Sequence, residues 1–286
     1  MKMPNTLANT FIALALSGIA LGQHLTLPQQ PVAGQATSIN TTGSGNVTFY
    51  LTGPGSAIKR SIKLGDTINL SAEDLAYAGR YEATLNDGTS QSFYVVPAAP
   101  QKLNFMARPS RVPVAQPNVI SGAVLVLDHN ENLVLSPVAV NFHLGLNGAP
   151  AVSHVVTSKD GVAWIKAGSG NREGAAQFTA SIGDVTVRRV VQQVASDPCN
   201  LRMKAQKQGD RLLLETEPIK DCSGNPVPDG TIVTFIQTGG SNGRSTMDAR
   251  VKHGIARATL PAVPGATLSV ASGVVLGNEI HWGGGQ

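Results

Sequence analysis

The sequence predicts an all-β protein: three tandem β-sandwich domains behind an N-terminal signal peptide. Three observations carry that expectation. Glycine and proline are abundant, 31 and 17 residues, while charged residues make up only 14% of the chain, against roughly 25% in an average soluble domain. That balance suits turns and strands rather than a helical bundle. Apolar residues, 42% of the chain, suffice to build cores, which excludes global disorder. Finally, a stretch of the chain falls on itself when displaced by 93 residues, the mark of a duplicated unit.

Residues 1–22 read as an export signal. Lys2 supplies a thin positive start, and 11–21 is an uncharged, mostly apolar run too short to span a bilayer. Ala20-Leu21-Gly22 then offers small residues where a signal peptidase reads, so cleavage is expected after Gly22. A short buried helix is the alternative. No cysteine follows the apolar run, so a lipid anchor is not implied. With no second run of ~18 apolar residues, the mature chain is not expected to be an integral membrane protein.

The first domain is expected over 23–97, with strands at 47–52, 57–64, 67–70, 79–85 and 90–96. Asn86-Asp87-Gly88 is a hairpin-turn signal, and Ser71-Ala-Glu-Asp74 has capping-box spacing for one short helical turn. In Leu75-Ala-Tyr-Ala-Gly79-Arg-Tyr81, a leucine and then Ala-Gly-x-Tyr entering a strand resemble the tyrosine corner of immunoglobulin-like sandwiches. Tyr81 would then bond back to the preceding loop; an ordinary core tyrosine is the alternative.

The second and third domains, 101–196 and 199–282, are the two copies of the repeat. Asp128 falls on Asp221, Asn132 on Asn225, Phe142 on Phe235 and Gly161 on Gly254. Strands are expected at 121–128, 138–144, 161–167, 175–182 and 185–194, and at 211–217, 231–238, 254–260, 266–271 and 274–282. Period-2 alternation broken by a turn every 8 to 12 residues is the sandwich pattern. Short proline-bearing linkers, 97–100 and 195–198, should make the array semi-rigid, and 283–286 is a glycine-rich tail. Cys199 and Cys222 are the only cysteines. An even count behind an export signal predicts a disulfide, with free thiols as the alternative.

Asp221-Cys-Ser-Gly224-Asn225-Pro226-Val-Pro-Asp-Gly-Thr-Ile-Val-Thr-Phe235 resembles the bacterial immunoglobulin-like domains of the invasin and intimin type. Their hallmark is a D-x-x-G-N-P-V turn followed by a strand ending V-x-F. Asp160-Gly-Val-Ala163 resembles a second motif of that family, where the third domain has His253 instead of the Asp. The second domain keeps Asp128, Asn132 and Val134 but replaces the turn's glycine and proline. The resemblance covers about 100–282. It implies an immunoglobulin-like fold and a role as spacer, adhesive tip or envelope scaffold. It does not bring the family's outer-membrane barrel with it.

A search for chemistry returns little. Gly239-Gly-Ser241-Asn-Gly243 fits G-x-S-x-G, and Asp248 and His253 follow in triad order. Strands flank the motif where a nucleophile elbow needs a following helix, so a glycine-rich loop is expected. Asp128-His-Asn130-Glu131-Asn132 begins like a calcium loop but has Ala139 where the closing Glu belongs. A strand-connecting turn is expected, with calcium at Asp128, Asn130 and Glu131 as the alternative. His24, His129, His143, His154, His253 and His281 form no metal-ligand spacing, and His143 and His281 are expected to face solvent. Ser56-Ala-Ile-Lys59 matches S-x-x-K without its companion motifs. Asn40, Asn46 and Asn69 begin glycosylation sequons. Basic residues occur in small groups, such as Lys59, Arg60 and Lys63, at a formal net charge of +4. That is too mild for a nucleic-acid footprint.

No catalytic, cofactor or metal residue is therefore expected. The chain reads as an exported, non-catalytic array acting in cell-surface adhesion, spacing or envelope assembly. Its location would be periplasmic, cell-surface or extracellular, and its partner a protein or glycan there, met in one mode by strand addition at an exposed sheet edge. A glycan- or ligand-binding module serving an enzyme is the alternative, and a secreted hydrolase using Ser241 the remote one. The glycan reading requires Tyr50, Tyr77, Tyr94 and Trp164 to gather on an exposed face. Core packing is the expectation for them and for Trp282, because aromatics carry much of a sandwich core.

Overall fold

A computed structural model describes residues 24–146, 151–239 and 243–283. The expected signal peptide, Ser241 and residues 284–286 lie outside the described residues. Among the described residues every regular element is a strand, and no helix is long and apolar enough to cross a membrane. The chain forms two compact units, Met1–Ala98 and Ala99–Gln286.

The first unit holds β1 (His24–Thr26), β2 (Thr37–Thr42), β3 (Asn46–Gly53), β4 (Ser56–Lys63), β5 (Thr67–Leu70), β6 (Gly79–Leu85) and β7 (Ser90–Val95). They make two antiparallel sheets, β1-β2-β5 and β4-β3-β6-β7. Alternation decides what is buried. On β6, Tyr81, Ala83 and Leu85 point inward while Arg80 and Glu82 face out. The inward set joins Phe49, Leu51, Ile39 and Phe93 in one core. Ser71 and Asp74 make both reciprocal capping-box bonds: the Ser71 amide donates to Asp74 Oδ2 (2.8 Å) and the Asp74 amide to Ser71 Oγ (3.2 Å). They close a turn rather than the expected helical turn. Burial raises the Asp74 pKa, but the Ser71 amide, the Arg60 guanidinium and the Ser71 hydroxyl outweigh it and hold the carboxyl below its ordinary value.

The second unit contains two sandwiches. One is built from β8 (Lys102–Arg108), β9 (Arg111–Pro113), β10 (Ile120–Leu127), β11 (Ala139–Gly145), β12 (Val152–Thr157), β13 (Val162–Ala167), β14 (Gly174–Ile182) and β15 (Val185–Val194). Its sheets are β13-β10-β8 and β12-β11-β14-β15-β9. Phe105, Phe142 and Phe178 meet at its centre, with ring centroids 5.1 to 6.1 Å apart. Burying each ring contributes roughly 1.5–3 kcal/mol. Gly122 lies against this cluster, where a Cβ would stand 2.6 Å from the Phe178 ring.

The other sandwich is built from β16 (Pro198–Cys199), β17 (Met203–Gln208), β18 (Arg211–Thr216), β19 (Lys220–Asp221), β20 (Ile232–Thr238), β21 (Arg244–Arg250), β22 (Arg257–Pro261), β23 (Thr267–Ser272) and β24 (Val275–His281). Its sheets are β17-β18-β22 and β21-β20-β23-β24, with β16 and β19 paired separately. A distinct core centres on Phe235, Leu212, Leu214 and Leu268.

The repeat is visible in the backbone. Asp160 and His253 occupy the same left-handed turn position, φ +50° and +51°, and each is followed by a glycine at φ +78°. The strand expected from Gly254 starts at Arg257.

Candidate functional site

Two features stand out above the scaffold: a joint built around Asp221 and an exposed aromatic sheet face on the second domain.

The joint begins with the Asp-x-x-Gly-Asn turn. The Gly224 amide donates to the Asp221 carbonyl (3.0 Å), and Gly224 sits at φ +87°, left-handed backbone that suits glycine. This folds the chain so that the buried Asp221 carboxylate collects donors. Oδ1 accepts from the Ser223 and Asn225 amides, both at 2.9 Å, and Oδ2 accepts from Asn225 Nδ2 at 3.0 Å. The Ser196 amide, in the linker, also donates to Oδ2 (3.1 Å). Asn225 then reaches into the second domain: its Nδ2 donates to the Asn171 carbonyl (2.8 Å), and its Oδ1 accepts from the Glu173 amide (3.2 Å). Lys220 and Pro226 bridge beneath the turn.

Burial by itself raises the Asp221 pKa. The hydrogen bonds from Asn225, Ser196 and Ser223 outweigh it, so the carboxyl lies below its ordinary value. The Cys199–Cys222 disulfide, Cα atoms 4.9 Å apart, ties the same turn to the end of the linker. A cleft of ≈ 580 Å³ lies at this junction, lined by residues such as Pro113, Ala195, Pro228 and Ile232.

The second domain forms the same turn without the glycine. Glu131 adopts φ +69° in the Gly224 position. Asp128 is fully buried, its Oδ1 accepting from the Asn130 and Asn132 amides, both at 2.9 Å, and its Oδ2 from Asn132 Nδ2 at 2.9 Å. These oxygens are thus engaged by amides, and the Glu131 carboxylate turns away to Lys102 (3.2 Å). Among the described residues no group of three or more His, Cys, Asp or Glu is placed to hold a metal ion.

In the first unit, Tyr81 is fully buried and its hydroxyl donates to the Tyr77 carbonyl four residues upstream (3.0 Å), the geometry of a tyrosine corner. Of the residues grouped with Ser241, Asp248 accepts a bond from the Thr234 hydroxyl (2.6 Å), and His253 holds a turn through its backbone amide on Asp229 (2.8 Å). His143 and His281 are exposed.

The aromatic residues correct the core-packing expectation. Tyr50, Tyr77, Tyr94 and Trp164 are all exposed, Tyr94 at 64% and Trp164 at 63%, while Trp282 packs half-buried against its domain's core. The reason is alternation. On β13 the buried Ala163, Ile165 and Ala167 claim the inner face, so Trp164 must point out. Within the first unit the three tyrosines do not form one platform. Tyr50 and Tyr94 lie on outward positions of the first unit's larger sheet, Tyr50 beneath Lys59 Nζ (5.8 Å from its ring centroid). Tyr77 covers the Gly55 turn.

Trp164 has different company. Across β10 the registers run Trp164–Ala123–Met106 and Lys166–Ser121–Arg108, all outward. Met106 is 56% and Leu125 40% exposed on the same face.

The chain is similar to a solved adhesin of Escherichia coli, FdeC, with a TM-score of 0.61 at 18% identity, covering 92% of this chain and 97% of that one. The shared fold is that of immunoglobulin-like β-sandwiches. Two other solved structures are similar at lower scores. Invasin, described as a bacterial integrin-binding protein, gives 0.48 at 13% identity over 91% of this chain and 59% of that one. InvD of Yersinia pseudotuberculosis gives 0.49 at 11% identity over 91% and 96%. No protein-family model matches the sequence, and no curated protein does. The immunoglobulin-like fold that the Asp221–Phe235 motif implied agrees with the similarity to FdeC, and the motif's residues build the joint.

Proposed function

We propose that the chain is an exported, non-catalytic array of immunoglobulin-like domains that works as a cell-surface adhesin. The observation that carries the reading is the similarity to FdeC, an adhesin, over 92% of this chain and 97% of that one. The joint supports it, because an array that must hold a contact face away from a surface gains from junctions fixed by a disulfide and a buried carboxylate. The disulfide itself fits an oxidising, extracytoplasmic compartment, as does a signal peptide at 1–22.

The test is fractionation of the native host with protease shaving of intact cells, alongside an adherence assay of cells with and without the gene. Shaved protein and adherence that depends on it are the expected results. A protein that stays protected inside the envelope, with adherence unchanged on deletion, would replace adhesion by an envelope-assembly role.

A further inference from the structure

The outward face of β13-β10-β8 is built unlike the matching face of its own duplicate. In the third domain the 93-residue offset puts Arg257 where the second has Trp164, and Arg257 is ion-paired with Glu215 on the neighbouring strand. The fold therefore does not require an apolar residue there. A tryptophan, a methionine and a leucine are instead left exposed together on one small sheet face, beside two cations.

The side chains define a trough. Ser121 and Ala123 on the central strand are small and form its floor. Trp164 and Lys166 stand on one side, Met106 and Arg108 on the other, about 10 Å apart across two strand spacings. Leu125 follows at one end of the central strand. The other end carries two cations. Among the described residues neither Arg108 nor Lys166 is ion-paired, and no outward position of the three strands is acidic.

Three occupants can be weighed. A second copy docking face to face would bring these cations together, which disfavours self-association. A protein partner in a stable complex covers roughly 800 Å² per side, whereas this face offers on the order of 200 Å² from its strand spacing and rise. A single sugar ring fits that footprint. Its apolar C–H face lies on the indole, its outward hydroxyls stay in water at an open site, and a carboxylate reaches Arg108 and Lys166 as a charge-assisted pair.

We propose that this trough binds a carboxylated sugar of a cell-surface glycan, stacked on Trp164 with its carboxylate held by Arg108 and Lys166. The inference rests on the adhesin reading and gives it a ligand class.

The test is titration of the full mature chain with a sialylated trisaccharide, a uronate-terminated oligosaccharide and neutral lactose, followed by tryptophan fluorescence. Trp282 in the third domain serves as the internal reference. A carboxylated ligand should perturb the Trp164 emission and bind at least 10-fold more tightly than lactose, and added salt should weaken it. Trp164→Ala and the charge reversal Lys166→Glu, both measured by isothermal titration calorimetry because the first lacks the fluorescent reporter, should each weaken binding at least 10-fold; both positions are exposed, and an unchanged melting temperature verifies that the variants fold. Equal binding of neutral and acidic sugars, no binding of either acidic sugar, or wild-type binding by Trp164→Ala would overturn the proposal. So would Trp164-dependent binding of a Glu-rich peptide with none of the saccharides. Cell adherence measured in parallel separates the two ideas: adherence that persists without saccharide binding sinks the sugar site alone, and absent adherence by the wild type sinks the adhesin reading.

Discussion

Asp221→Asn removes one charge and almost no volume, and it tests the joint directly. On the Oδ1 side a neutral carbonyl still accepts from the Ser223 and Asn225 amides. On the Oδ2 side the new NH₂ group faces two donors, the Ser196 amide and Asn225 Nδ2. The Ser196 amide loses its acceptor, and Asn225 Nδ2 keeps only its longer contact to Oδ1 (3.3 Å). A hydrogen bond to a charged group contributes about 1.5–3 kcal/mol. Ser196 is half-buried and can turn to water, which puts the loss near the lower end, about 3 kcal/mol in total. For a unit the size of residues 99–286 that is a melting-point fall of roughly 6–12 °C. Differential scanning calorimetry at pH 7 is the assay. Acid supplies an internal check. The folded-state pKa of Asp221 lies below its ordinary value, which in an unfolded chain is about 3.9. Its contribution is therefore present above the unfolded value and is lost as pH falls through the folded one. The gap between wild type and variant should be full at neutral pH and close in acid. A variant that melts within about 2 °C of wild type at pH 7, or a gap that widens as pH falls, would refute the assignment of the joint to this carboxylate.

Other substitutions test neighbouring parts of the argument. Replacing both Cys199 and Cys222 by Ser opens a ~24-residue loop and should cost about 3.5 kcal/mol by loop-closure entropy, seen as a matching fall in urea midpoint for the variant and for reduced wild type. Because Cys222 adjoins Asp221, this loss and that of Asp221→Asn should not add. Tyr81→Phe keeps the buried ring and deletes only the donor to the Tyr77 carbonyl. About 1 kcal/mol should be lost, with faster hydrogen exchange over residues 73–81 and none over 99–286. Gly122→Ala drives a methyl group into the Phe178 ring and should cost roughly 1–3 kcal/mol, measured by chemical unfolding.

Strands with clean alternation were legible in the sequence. Thr67–Leu70, Gly79–Leu85 and Val185–Val194 fall where the pattern places them. β9, β16 and β19 were not, because two or three residues carry no period. β12 escaped for another reason: its edge position leaves five of its six residues exposed, so there is no apolar side to detect. The Asp-x-x-Gly-Asn motif announced a turn but not its reach, since the amide of Asn225 meets Asn171 and Glu173, more than fifty residues away in sequence. Trp164 was misread although the signal was present. Ala163, Ile165 and Ala167 are small or aliphatic at alternate positions, and once they are assigned inward the tryptophan between them can only face out. The general tendency of aromatics to fill cores overrode a local rule that carried more information.

The duplication separates what the scaffold needs from what its surface is free to do. Both copies keep a buried aspartate whose carboxylate is capped by an asparagine four residues on, and both keep the left-handed turn before the next strand. The second copy holds that geometry even with Glu131 where glycine would be easier, a left-handed placement that costs roughly 1–2 kcal/mol. Tolerating that strain argues that the turn's position matters more than its local comfort. The faces of the same sheets, by contrast, have diverged completely, into an Arg257–Glu215 ion pair in one copy and an exposed Trp164 in the other. A face that departs from its twin in the unfavourable direction, on a scaffold otherwise held fixed, is where selection for a partner would leave its trace. In the third copy the fixed turn also anchors a joint, so on the proposal above one motif ties the domains together while one sheet of the second copy supplies the contact.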